Sequence, residues 1–367
     1  MLKIQFLTSK KISPNTHSII YPILKWEREI ESSVGKCKVI RNQLNENSDI
    51  VILDSKFHKS WWLDKDRGKE EVIKNLKKIK NKCGKLVYFD TTDSSGSIQN
   101  EVFDFIDQYW KGQLLKELNC YKNSFMGGRI FTDFFYNNFR EEFLNNNQFQ
   151  KSKILESSSI KKLRVAWNSS LTDYSLFGGR LARLGTKLNM KIFLEKDIKL
   201  KKYLNKREKK ISCRVYSDYS NKLISWQRNL TKDLLKKKCN TDIISKNKYH
   251  LELLNSKMIF SPFGWGEICY RDFETFFSGA LLIKPNMSHL NTWPNLYIDN
   301  ETYIPCRWDL TDLLEIICEK ENDLDIDIIN NARNTYNQYL NKSTGGNLFC
   351  ARLRDLVKDL LSMKTAR

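Results

Sequence analysis

Between Ile259 and Tyr297 the chain reads IFSPFGWGEICYRDFETFFSGALLIKPNMSHLNTWPNLY. The residue types able to do chemistry are crowded here: Gly264, Trp265, Gly266, Glu267, Arg271, Asp272, Glu274 and Lys284. Glycines at 264 and 266 lack a Cβ, so their backbone can approach a phosphate closely. A helix opening near Arg271 and Asp272 offers free N–H groups and a partial positive charge to an anion. Arg271 adds a charged fork for phosphate oxygens. Glu274, in the first turn, is placed to accept both hydroxyls of a ribose. A plainer reading also exists, in which Asp272 caps the helix and Glu274 complements its dipole. The glycine loop and Lys284 at the next strand end favour a ligand.

These residues need elements to hold them. The apolar run Lys257–Phe260 predicts a strand that breaks at Ser261–Pro262, and the helix after the loop ends at Gly279. A second strand over Ala280–Ile283 follows. Strand, glycine loop, charged helix start and strand together form a unit that binds phosphorylated ligands. The rest of the chain repeats this alternation. Strands are expected at Leu2–Leu7, Val39–Ile40, Ile50–Leu53 and Lys85–Phe89, with helices over Ile19–Ile30, Glu70–Lys82 and Gln113–Leu118. A polar stretch from Asn137 through Asn145–Asn147 to Ser159 reads as an interdomain connection. Strands then resume at Leu163–Trp167, Lys191–Leu194 and Ile211–Tyr216, and helices at Trp226–Leu235, Asp309–Glu319, Ile326–Tyr339 and Leu348–Met363. Alternating elements of this kind predict an α/β fold with parallel sheets and crossover helices. We expect two Rossmann-like domains, residues 1–150 and 160–345, followed by a terminal helix over 346–367.

Bulk composition narrows the function. With 367 residues and 41 % apolar content the chain can bury large cores. No apolar run reaches the roughly 20 residues that cross a bilayer, and the first residues do not read as a secretory signal, so a cytoplasmic protein is expected. The nine cysteines form no C-x-x-C pair, and with only four histidines no metal site is expected. The formal charge of +19 admits nucleic acid, an anionic membrane surface, a phosphate-bearing substrate, or a lysine- and asparagine-rich codon bias as its origin. The basic runs are separate and read as solvated helix faces, and no nucleic-acid-binding motif accompanies them, so no nucleic-acid partner is expected.

The stretch SPFGWGEICYRDFETFFSGALLIKP resembles the donor-nucleotide segment of GT-B glycosyltransferases, most closely the CgeB-type and exostosin-like bacterial groups. The resemblance implies two Rossmann-like domains facing across a cleft and a nucleotide-sugar co-substrate, with no separate cofactor and no required metal. It implies transfer of a sugar to a glycan or lipid-linked acceptor in cell-surface glycan synthesis, at the inner membrane face. It places Glu274 on the ribose. The loop Gly264, Trp265, Gly266 and Glu267, the helix start Arg271, Asp272 and Phe273, and Lys284 complete the donor segment. Glu267 stands one residue closer to Glu274 than the paired glutamates of the common signature. By the same analogy Asn168, with Ser169 and Ser170, faces the diphosphate, and Arg180 clamps a phosphate. Arg214 or Arg228 neutralises the leaving nucleotide. Transfer needs a base for the acceptor hydroxyl. Asp90 and Asp93, directly after a buried strand, and His17, after the first strand, are the candidates. His289 and Trp293 read either as sugar contacts or as packing, and Gly127–Gly128–Arg129 either as acceptor wall or as the seat of the interdomain connection. A non-catalytic sugar-binding relic of the same fold is the alternative.

Overall fold

The computed structural model describes residues 1–41, 44, 46–58, 67–144, 149–175, 178–188, 190–198, 200 and 206–363. In chain order the strands are β1 (Lys3–Thr8), β2 (Lys36–Arg41), β3 (Ser48–Asp54), β4 (Cys83–Asp90), β5 (Gln108–Lys111), β6 (Gln113–Leu115) and β7 (Leu163–Val165). They continue as β8 (Lys209–Ser212), β9 (Ser256–Phe260), β10 (Leu281–Pro285), β11 (Leu290–Thr292) and β12 (Ile304–Cys306). One sheet has the order β2-β1-β3-β4-β5-β7 and a second the order β12-β10-β9-β8. Every neighbouring pair in both is parallel. The α/β architecture with parallel sheets is the one expected.

Parallel sheets are covered on both faces, which explains the near-continuous apolar strands. In β3, Ile50 and Ile52 join one core with Phe6, Phe89, Trp110 and the helix Pro14–Lys25. Val51 and Leu53, one residue out of phase, join the opposite core with Val72, Leu76 and Ile79 of the helix Arg67–Lys80. The second sheet repeats the scheme. Met258, Phe260, Leu281 and Ile283 pack on Leu313, Ile317 and Ile328, while Leu282 meets Phe273, Phe276 and Tyr336 on the other side.

Three placements differ from the sequence reading. The strand over Leu163–Val165 closes the first sheet beside β5 instead of opening the second. The segment Gln113–Leu115 is a strand, not helical, because it finds an antiparallel partner in β11. Lys191–Leu194 is a short helix, a four-residue apolar run being equally readable as either. The chain also crosses between the units more often than a single linker requires. Phe131, Phe135 and Phe143 leave the first unit to pack with Leu223 and Phe263 of the second. Helix Lys342–Ser362 returns to the first, burying Phe349, Leu353 and Val357 beside Trp26. Within the expected connection, residues 145–148 lie outside the described residues, as do 201–205 of the basic run.

The carboxyl-terminal edges of the two sheets face each other. The ribbon β6–β11 joins the units, as do Asn168 N–H to Trp293 O at 2.8 Å and Lys116 N–H to His289 O at 2.8 Å. Ligands of open α/β sheets bind at such edges. No helix among the described residues is long and apolar enough to cross a membrane.

Candidate functional site

The loop between β9 and helix Tyr270–Ser278 is positioned from beneath by Asp272. Its carboxylate accepts from Cys269 N–H at 3.0 Å, Ser261 Oγ at 2.6 Å and Tyr297 Oη at 2.8 Å. It also pairs with Lys284 Nζ at 3.1 Å, both side chains being fully buried. Asp272 is thus the helix cap, and Lys284 is its counter-charge. Neither is free for a ligand, contrary to expectation. Phe273 is a core residue stacked on Tyr336, also not a ligand contact.

Contact with the Asp93 backbone requires glycine at 266, while Gly264 meets only the end of a side chain. Gly264 N–H closes a turn onto Gly266 O at 3.0 Å. A Cβ on Gly264 would stand 2.8 Å from Arg228 Nη2, and one on Gly266 would overlap the Asp93 carbonyl. The loop therefore lies pressed on the first unit. Arg129 stacks on Trp265 with 5.4 Å to the ring centre and donates Nε–H to its carbonyl at 2.7 Å. Toward the connection, Gly127 N–H donates to Gln150 O at 3.0 Å, and both Gly127 and Gly128 have positive φ. Glu267 is fully buried and accepts from Ser95 N–H at 3.1 Å and Ser95 Oγ at 2.5 Å. His289 Nε2 stands 4.0 Å from it, and burial lowers that imidazole's pKa. Glu267 is a bolt between the units and lines none of the three cavities described next. Trp293 packs on Tyr339 and Phe349.

Beside the loop lies a cavity of about 450 Å³, lined by Arg214, Tyr216, Arg228, Lys246, Tyr249, Arg271 and Glu274 with Ile243 and Ile244. Its arginines differ in kind. Arg214 forks onto Glu252 with contacts of 2.8 and 2.6 Å and also reaches Asn240. Burial opposes the charge on Glu252, but Arg214, Lys209 and Ser212 outweigh it and hold the carboxyl down to about 2. Arg214 is therefore already neutralised. Arg228, on helix Lys222–Leu235, is 7 % exposed; its hydrogen bonds go to carbonyls, Phe263 O at 2.6 Å and Tyr216 O at 3.0 Å, and it lies over the Tyr219 ring, 5.5 Å from the ring centre. No carboxylate pairs with it among the described residues. Burial, and then the neighbouring Arg271, press its pKa down, as for a cation lacking an anion. Arg271 donates to Arg214 O, while its Nε finds no partner. Glu274, with Tyr249 against it, stands in the wall, and burial raises its pKa.

Two further cavities share with this one the wall residue Tyr270, the first residue of its helix. The smallest lies at the end of β4, lined by Asn15, Ser18, Asp90, Asp93, Gln113, Asn168 and Tyr270. Asp90 is closed: Lys111 and Tyr109 Oη, at 2.7 Å, engage Oδ2, and Thr92 N–H donates to Oδ1 at 2.9 Å. Its two oxygens are engaged within the protein, unlike those of a base open to an acceptor. Asp93 is exposed and accepts from Asn15 Nδ2 at 2.7 Å. Tyr270 Oη donates to Asn15 Oδ1 at 2.8 Å, so the two units meet here. Asn168 caps Ser170 N–H at 3.0 Å and donates to Pro294 O, a turn-forming role. The third cavity, about 230 Å³, holds His17, Asp173, Arg180, Arg183, Lys246 and Glu274. Of the expected residues, Glu274, Arg271 and Arg214 share one cavity, Asp90, Asp93 and Asn168 another, and His17 and Arg180 the third. Sequence reasoning missed Arg183, Lys246, Tyr249 and Tyr270. The pairs Arg180/Arg183 and Lys246/Tyr249 carried a signal, since residues three apart share a helix face.

The sequence matches no known protein-family model and no curated protein. Among solved structures, the chain is similar to a glycosyltransferase from Rickettsia africae, with 14 % identity over 98 % of this chain and 99 % of that one, at a TM-score of 0.44. It is similar to Anabaena Alr3699/HepE in complex with UDP-glucose, with 11 % identity over 97 % and 100 % and a TM-score of 0.43. It is also similar to an alpha-glucosyltransferase (AGT) in complex with UDP, with 10 % identity over 99 % and 100 % and a TM-score of 0.44.

Proposed function

We propose that the chain is a GT-B-type glycosyltransferase that moves a sugar from a nucleotide donor to a saccharide or lipid-linked acceptor. The observation that carries this reading is Arg228, a guanidinium 7 % exposed, without a carboxylate, facing a 450 Å³ cavity at a helix start. Burying a cation without a counter-charge is costly, and a bound anion removes the cost. A nucleoside diphosphate fits what surrounds it. The base occupies the end of the cavity near Ile243 and Ile244, the ribose hydroxyls bind Glu274, and the diphosphate lies against Arg228 and Arg271. The sugar then extends past Tyr270 to the cavity at the end of β4.

In the transfer, the anomeric carbon–oxygen bond to the diphosphate breaks and a bond to the acceptor oxygen forms. The acceptor proton passes to Asp93, which the Asn15 amide holds in place by a hydrogen bond. The nucleoside diphosphate leaves with its new charge met by the arginines and the helix start, so turnover is expected to survive chelation of divalent cations. The charge of +19 favours an acceptor held at an anionic membrane face.

A thermal-shift panel of nucleoside diphosphates and their sugars tests the donor, because stabilisation grows with ligand excess. At least one is expected to raise the melting temperature, and Glu274→Ala is expected to abolish that rise and transfer. A flat panel contradicts the reading. Asp93→Asn is expected to lower kcat by roughly 10²–10⁴ with nucleotide affinity unchanged; an unaltered kcat passes the base role to His17.

A further inference from the structure

The donor reading touches the 230 Å³ cavity only at the wall it shares with the larger one, Lys246, Tyr270 and Glu274. It lies between helix Pro14–Lys25 of the first unit and helix Gly178–Leu188. Arg180 and Arg183 stand one turn apart on the second helix, so both guanidinia share a face. Both are solvent-exposed at the mouth of the cavity, and neither takes part in an ion pair or hydrogen bond among the described residues. Opposite them, His17 is 3 % exposed, and neither its Nδ1 nor its Nε2 has a partner. Buried polar atoms are normally satisfied, so an imidazole with both nitrogens unmet in a cavity wall marks a place where a ligand completes the bonding. The two acids of the cavity are engaged elsewhere. Asp173 accepts from Ser175 N–H at 2.8 Å, and its carboxylate lies where a Cβ on Gly178 would fall, covering the helix start. Glu274 turns to Tyr249 and Arg271. Two unopposed arginines and a hydrogen-bonding imidazole form a site for an oxyanion.

We propose that this cavity binds the phosphate or carboxylate group of an anionic acceptor saccharide. The word acceptor rests on the transferase reading; the chemistry of the site does not.

The test titrates glucose 6-phosphate, glucuronate, glucose and inorganic phosphate into the full chain at constant ionic strength. Histidine ring ¹H–¹⁵N resonances report the response, His17 being one of only four histidines. Glucose 6-phosphate or glucuronate is expected to bind at least about tenfold more tightly than glucose or inorganic phosphate, and to move the His17 signals. The double variant Arg180→Gln/Arg183→Gln is expected to lose about tenfold or more of that affinity while binding UDP within about twofold of wild type. Anionic sugars that bind no better than glucose or free phosphate, or that bind without moving His17, overturn the proposal. So does a loss of UDP affinity in the double variant, which assigns the arginines to the donor. If UDP fails to bind the wild-type chain while the anionic sugars bind at His17, the donor reading falls and this site stands.

Discussion

The carboxyl-terminal edges of the two sheets carry the same device to different ends. At the first edge Asp90, closing β4, is paired with Lys111, closing β5; at the second Asp272 is paired with Lys284 of β10. All four side chains are fully buried. Each pair ties down the loop that leaves its edge, through Thr92 in one case and Cys269 and Ser261 in the other. What remains around the pairs differs. The first edge keeps an exposed carboxylate, Asp93, and the unpartnered imidazole of His17. The second keeps the buried, acid-free guanidinium of Arg228. One side of the cleft keeps an exposed carboxylate and an imidazole without hydrogen bonds, the other a buried guanidinium without a carboxylate.

The largest expected effects break the pairs. Asp90→Ala and Asp272→Ala each leave a buried lysine unpaired, at about 3–5 kcal/mol. Comparable falls in melting temperature at the two edges support the parallel; a fall at one edge only breaks it.

Next comes the acid response of the first edge. Burial first, and Arg183 second, lower the His17 pKa to about 3, against 6.5 for an ordinary imidazole. Between those values the unfolded chain binds a proton that the folded chain does not, so stability falls as pH drops from about 6.5 toward 3. The contribution is up to about 5 kcal/mol. His17→Gln is expected to flatten that limb of a melting-temperature-against-pH curve, and an unchanged limb removes His17 from the picture.

A smaller effect sharpens the second edge. Arg214→Met is expected to cost less than about 1 kcal/mol of nucleotide affinity, because Glu252 already neutralises that arginine. Calorimetric titration compares it with Arg228→Met, where about 1.5–3 kcal/mol is expected.

The alternation of apolar runs with amphipathic helices made the α/β fold legible, because parallel strands buried on both faces leave continuous Val, Ile, Leu and Phe. Arg271 was legible as part of a helix start, but Glu274 was expected in the first turn and lies in the second, because the helix opens at Tyr270 and its first-turn acid is Asp272. The roles of Asp90 and Lys284 were not legible, because their partners Lys111 and Asp272 reach them through strand pairing and a helix cap, and spacing along the chain does not encode a neutralised charge. Glu267 was misread for the same reason: Ser95, which holds it, is 172 positions away. The assignment of β7 and of the last helix to the first unit also depends on pairing and packing partners distant in sequence. Arg228 stood beside Arg214 with nothing in the sequence to separate them; the distinction is the presence of Glu252 at one and of two carbonyls at the other.

The most direct measurement of the central claim is a calorimetric titration of UDP, and of the nucleoside diphosphate that leads the thermal panel, into wild type and Arg228→Met. Saturable binding by the wild-type chain, weakened about tenfold to a hundredfold by the substitution, is the expected result. Equal affinity in the two proteins, or no binding by either, contradicts the placement of a nucleoside diphosphate against Arg228.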